Sequence, residues 1–228
     1  MLHSLFNRLF YNFAKIYNAD KIIHHTMKAL LALSFALLPM MHTEAQNTWE
    51  EVEQTQSAVN PDAKYLAGAV PVVDGKVVFS TVIAAPKHTA SEIYDILHKE
   101  MLRMTKEKNQ FDQSQMIRES KESGELGAYY QEWLVFKNKP LVLDRTRLMF
   151  NLMVKCADGK AEVTMTRIYY LYDEERHPMT YKAEEWITDE YGLKKSKEKL
   201  SRVSGKFRKK TIDRKNYIFS RFEKLLNS

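Results

Sequence analysis

The chain has 228 residues, 44% hydrophobic and 11% aromatic, which is enough to close a core without cross-links. Its single cysteine, Cys156, excludes an intramolecular disulfide framework, and its place in phase with neighbouring apolar residues reads as a buried inert thiol. The formal charge of +6 is modest but uneven: 13 Lys/Arg stand against 3 Asp/Glu from Lys194 onward, and 18 against 24 over residues 46–193, so a basic end follows an acidic body.

Between Lys28 and His42 runs an apolar stretch of about 13 residues, whereas a helix crossing a hydrocarbon core needs about 20. A positive residue before it, Pro39 within it and the small or neutral Thr43 and Ala45 after it make residues 27–45 a secretory signal peptide, cleaved after Ala45. No cysteine lies near the cleavage point, so a lipid anchor there is excluded and the mature chain is expected not to be an integral membrane protein. The expected location is the periplasm or the extracellular space. Residues 1–26 carry Leu2, Leu5, Phe6, Leu9, Phe10, Phe13 and Tyr17 at helical spacing. They read either as an interfacial helix or as a leader upstream of a true start at Met27, and the second reading is the simpler. Residues 46–63 are polar, end in Asn60-Pro61-Asp62 and read as a linker or loosely docked arm, leaving residues 64–228 as one domain.

Asp74-Gly75 lies between β-branched residues and fits a tight hairpin, with Val77 to Ala84 as the firmer strand. Thr89-Ala90-Ser91-Glu92 has capping-box spacing and starts a helix over 90–107, whose stripe is Ile93, Leu97, Met101 and Met104. From Asp112 to Tyr172 the period becomes two. Segments 113–121 and 128–137 pair across Glu122-Ser123-Gly124, and 144–156 and 160–172 across Ala157-Asp158-Gly159. Leu148, Phe150, Leu152, Val154 and Cys156 then share a dry face with Ala161, Val163, Met165 and Tyr169, while Arg145, Arg147, Asn151 and Lys155 face water. Strict alternation also puts Arg167 on the dry face, where it needs a carboxylate or the sheet margin. Residues 180–193 read as a helical turn or irregular chain with Trp186 as an apolar plug. Thr211, Arg214, Ile218, Phe222 and Leu225 mark a final amphipathic helix over 204–226 that covers the same dry face. The order strand, helix, four strands, helix is an α+β sandwich of one antiparallel sheet with two helices on one face.

Several stretches, "KYLAGAVPVVDGKVVFS" at 64–80, "LDRTR" at 143–147, "RIYYLYDEER" at 167–176 and "AEEWITDEYGLKKSKEKLSRVSGKFRKKTID" at 183–213, resemble a family of exported bacterial domains of unknown function with a TATA-binding-protein-like (TBP-like) fold. The resemblance runs from about residue 64 to the end. It implies the same strand-helix-four-strand-helix domain behind a signal peptide, and it implies no activity, ligand, cofactor or catalytic residue. Likeness of fold to a DNA-binding protein does not confer DNA binding.

The mature chain offers only His88, His98 and His177 as histidine bases, none beside a nucleophile motif, and Asp95 with His98 reads as a solvated pair one helical turn apart. No zinc, calcium or phosphate-loop spacing occurs, so no cofactor or metal is expected. Two candidate binding surfaces remain. Lys206, Arg208, Lys209, Lys210 and Arg214, interleaved with Phe207, form a basic segment suited to an anionic glycan, a lipid headgroup or an acidic protein surface; export argues against nucleic acid. Tyr129, Trp133, Tyr170 and Tyr172 form a candidate aromatic surface for a ligand. The reading is a non-catalytic exported binding domain, with a hydrolase or transferase whose site is dispersed in sequence as the alternative.

Overall fold

In the computed structural model the described residues are 60–228. The expected leader over 1–26, the expected signal peptide over 27–45 and most of the expected 46–63 arm lie outside them. Asn60 opens the described chain with an Asx turn, its Oδ1 accepting from the Asp62 amide at 3.1 Å. One 3-10 turn later Tyr65 is already buried, its hydroxyl donating to Asp213 at 2.6 Å.

The Asp74-Gly75 hairpin forms as expected. β1 (Val72–Val73) and β2 (Lys76–Val77) flank two residues at φ 49° and 71°, the left-handed pair that a two-residue turn of this twist requires. The strand expected over Val77 to Ala84 is interrupted at Val78, whose amide turns back to the Pro71 carbonyl at 3.2 Å, and β3 runs Phe79–Ala84. Helix α1 (Ala90–Met104) starts at the expected capping box: the Glu92 amide donates to Thr89 Oγ1 at 3.3 Å and Glu92 Oε2 accepts from the Thr89 amide at 2.8 Å. Its stripe, Ile93, Leu97, Met101 and Met104, is fully buried, and the helix stops at Met104 rather than at 107.

Strands β4 (Gln115–Ser120), β5 (Glu125–Lys139), β6 (Val142–Ala157) and β7 (Lys160–Tyr172) form an antiparallel meander. The second and third of these are longer than their periodicity shows and join directly at an exposed turn where Leu141 takes φ 65°. The order across the sheet is β3-β7-β6-β5-β4. β8 (Met179–Lys182), unforeseen within the irregular 180–193 stretch, pairs with β7 residues 169–172, while β3 pairs with residues 160–165 of that strand. Helix α2 (Ser204–Leu226) matches the expected bounds and, with α1, covers one sheet face.

β7 departs from strict alternation. Asn151 pairs with Thr166 and Met149 with Tyr169, so Arg167 and Ile168 together stand opposite Phe150. This β-bulge is built on Arg167 at φ 52° and reverses the strand's parity. Ala161, Val163 and Met165 face the helices before it, and Ile168 and Tyr170 after it. Two expectations are thereby corrected: Tyr169 leaves the dry face, and Arg167, placed there by counting in twos, lies exposed on the other side. The physical reason is the extra residue, since a one-residue slip turns every later side chain over.

The helix layer is held by charge as well as by oil. Glu132 of β5 is wholly buried and receives Arg214 of α2 through Nε at 2.6 Å and Nη2 at 2.7 Å, with Gln110 Nε2 at 2.5 Å. Burial draws the Arg214 pKa down, but the Glu132 carboxylate more than offsets this and raises it overall. Around this pair Arg103 and Arg221 meet Glu100 and Glu107, so three guanidinium groups face three carboxylates. Burial pushes the Glu100 carboxyl above its usual range, with Arg103 pulling the other way. Tyr130 donates to the Met101 carbonyl at 2.9 Å, and the Tyr170 hydroxyl is 2.7 Å from Thr211 Oγ1, tying β5 to α1 and β7 to α2.

Three outcomes follow from these contacts. Arg214→Met leaves the buried Glu132 carboxyl without its guanidinium partner and is expected to cost about 3–5 kcal/mol in urea unfolding, while Arg214→Met with Glu132→Leu recovers most of that loss. Arg167→Gly, which suits a left-handed φ, is expected to leave stability unchanged or raised, whereas Arg167→Val costs about 1–2 kcal/mol. Burial pushes the Cys156 thiol from 9.0 up to about 11. Above about pH 9 the unfolded chain releases a proton that the native chain keeps, so stability falls with rising pH and the loss is complete by about pH 11. Wild type and Cys156→Ala compared in urea between these limits should differ in slope by up to about 1.4 kcal/mol per pH unit.

Candidate functional site

The basic segment does not become a basic surface. An α-helix turns 100° per residue, so positions 206, 208, 209, 210 and 214 spread around α2, and positions 208 and 214 fall on the side that faces the protein. Arg208 is fully buried: Nε donates to the Tyr65 carbonyl at 2.6 Å, Nη1 to Ile187 at 2.8 Å, and Nη2 to Leu66 at 2.6 Å and Asp189 Oδ1 at 2.7 Å. Arg214 belongs to the buried network already described. Lys206 Nζ is held by Asp144 at 2.6 Å and Lys209 Nζ by Asp62 at 2.8 Å; Lys210 lies part-exposed on the helix flank. Phe207, the aromatic set among these charges, is fully buried against Phe136 at 4.6 Å and Tyr170 at 5.2 Å. Trp186 does act as a plug in this cluster, stacked on Tyr181 at 3.9 Å.

Nor do the four aromatic candidates line one surface. Tyr129 and Trp133 point to the sheet face that carries no helix among the described residues, the helix-free face, while Tyr170 is buried under α2 and Tyr172 packs on Phe207 at 5.4 Å with its hydroxyl on Asp144. The bulge decides this, turning Tyr170 inward and setting Tyr169 and Leu171 outside.

The histidines are scattered. His98 Nε2 lies 2.5 Å from Glu119 Oε2, with its ring stacked on Tyr94. Asp95 is taken by Lys121 Nζ at 2.6 Å rather than by His98, and exposed His177 stands 3.9 Å from Asp173. Among the described residues no group of three or more His, Cys, Asp or Glu side chains is placed to hold a metal ion. No helix among them is long and apolar enough to cross a membrane.

The helix-free sheet face carries two adjoining grooves of about 630 and 590 Å³ that share Ile117, Asn151 and Arg167 as a common wall. The first is mainly apolar, lined by Tyr129, Met149, Tyr169, Leu171 and Thr180. The second is lined mostly by charged and polar residues, Arg118, Glu125, Lys155, Glu162, Thr164 and Thr166, with Met153 among them. Most charges of this face are answered locally. Arg118 binds Glu125 at 2.6 Å, Lys160 binds Glu162 at 3.2 Å, and Lys155 lies in register between Glu125 and Glu162. At the far end Arg145 covers the Trp133 ring at 3.7 Å and reaches Glu175. Arg147 covers the Phe111 ring at 3.9 Å and binds Glu174 at 2.8 Å. Trp133 is therefore capped by the protein itself.

Among the arginines of this face Arg167 differs, having no carboxylate within ion-pair distance among the described residues. It is exposed and held at positive φ at the boundary between the two grooves. Bulges characteristically re-aim a side chain in this way, and sparsely populated backbone conformations gather at functional positions. Counting in twos from Met165 missed this residue. The signal was present: inward apolar residues change from odd to even number between Met165 and Ile168, with an arginine at the change.

Comparison with known proteins is consistent with this architecture. Residues 79–171 match the model of a domain of unknown function (DUF4468) with TBP-like fold. No curated protein matches the chain. A TBP-like protein from Parabacteroides distasonis shares the fold at TM-score 0.55 and 16% identity, covering 70% of this chain and 97% of its own. A DUF4468 family protein from Bacteroides ovatus is 37% identical at TM-score 0.69, covering 74% of this chain and 96% of its own. That level of identity over nearly the whole of the relative makes the chain a member of the DUF4468 family of TBP-like domains.

Proposed function

We propose that this protein is a non-catalytic recognition domain that works outside the cytoplasm, and that its partner is engaged by the helix-free sheet face rather than by the basic helix. Arg167 carries the reading: a guanidinium without a carboxylate partner among the described residues, set by a bulge at the boundary between the two grooves on a face whose other arginines are neutralised. A lone cation so placed favours a partner that brings a negative group to it. Alternating signs around it, Arg118 with Glu125 and Lys155 with Glu162, suit nucleic acid poorly, because a phosphate backbone needs a run of cations. Within the basic segment, Arg208 and Arg214 serve the fold instead. The extracytoplasmic part of the proposal rests on the 27–45 segment.

Photo-cross-linking in producing cells tests both parts. Benzophenone side chains introduced at Met149 or Tyr169 are expected to give adducts, and one at Lys209 to give none. Cell fractionation is expected to place a product shortened near Ala45 outside the cytoplasm. Adducts from the helix position alone, or an unshortened cytosolic product, overturn the corresponding part.

A further inference from the structure

We infer that the two grooves beside Arg167 form a binding site for a small amphipathic monocarboxylate, with the carboxylate on the Arg167 guanidinium and the apolar body in the groove of Tyr129, Met149, Tyr169 and Leu171. The inference rests on the helix-free face being the recognition surface and adds the ligand class.

The size points to a small molecule. At about 630 Å³ the apolar groove lies within the range typical of small-ligand sites, about 300–1,000 Å³. The lining points to an amphipathic one. Two tyrosines, a methionine and a leucine supply flat and adaptable apolar contact, and the cation stands at one end of that surface rather than within it.

The charge limits the ligand to a single anionic group. Arg167 contributes one cation with no ion-pair partner among the described residues, whereas the other cations of the neighbouring groove are already met, Arg118 by Glu125 and Lys155 by its register neighbours Glu125 and Glu162, so one anionic group is matched and a second is not. Carboxylate suits that single guanidinium, because its two oxygens match the planar fork in a bidentate pair. Asn151 and Thr166 stand beside it as further polar neighbours. A bulge holding Arg167 at φ 52° fixes where the side chain leaves the strand, so the direction of its Cα–Cβ bond is set before any ligand arrives.

The experiment uses the full chain with ¹³C-methyl methionine and three probes: 4-phenylbutyrate, 4-phenylbutanol and acetate. Phenylbutyrate is expected to move the Met149 signal more than that of Met153 and to bind about tenfold or more tightly than phenylbutanol, with acetate weaker than both. Arg167→Gly keeps the left-handed backbone and removes the charge, and is expected to bring the butyrate-to-butanol ratio to about one. Equal binding of the two phenyl probes to wild type, or a ratio unchanged in Arg167→Gly, overturns the inference. If cross-links at Met149 and Tyr169 persist while phenylbutyrate fails, the ligand class falls and the recognition face stands. If both fail, both fall.

Discussion

A sheet with one face under helices tolerates little disorder in the parity of its strands, and here the whole arrangement turns on one inserted residue in β7. Before Arg167 the strand sends Ala161, Val163 and Met165 into the core, and after it Ile168 and Tyr170. The same slip divides the strand's free edge between two partners, β3 along its first half and β8 along its second. Tyr170 reaches Thr211 of α2 only because the parity has changed, and Tyr169 and Leu171 reach the open face for the same reason. A single departure from regular pairing thus serves the core on one side and shapes a groove on the other.

The second constraint is electrostatic. An apolar stripe alone leaves a helix free to slide or roll over an oily sheet, because hydrophobic burial has no direction. Guanidinium groups have direction. Arg214 reads the carboxylate of Glu132 in the middle of β5, and Arg208 reaches backbone carbonyls of the opening turn and of the segment after β8. Such pairs add little net stability beyond an apolar substitute, but losing one partner is costly, and this binds α2 to one position. Two of the five cations that look like an interaction surface in one dimension, Arg208 and Arg214, are consumed in orienting the helix.

The TBP-like architecture leaves one sheet face without a helix among the described residues, and most charges of that face are met within it. Arg145 and Arg147 are spent on aromatic rings and acidic neighbours, and Arg118 on Glu125. Of these arginines Arg167 alone has no carboxylate within ion-pair distance among the described residues. The fold provides a rigid floor on which a strained residue can be kept, since its neighbours in β6 hold both sides of the bulge in register.

Much of this was readable from local rules. The capping box at Thr89, the Asp74-Gly75 turn, the even-numbered dry face of β6 and the bounds of α2 all follow from interactions between residues close in sequence, whose geometry the backbone itself dictates. Tertiary structure alone decided which long side chains would be hidden, because an arginine at helical spacing looks the same whether it meets water or Glu132. It also decided the site. A strand's side-chain period is two only while its partner adds one residue for each of its own, and whether that holds at Arg167 depends on β6, which lies a hairpin away.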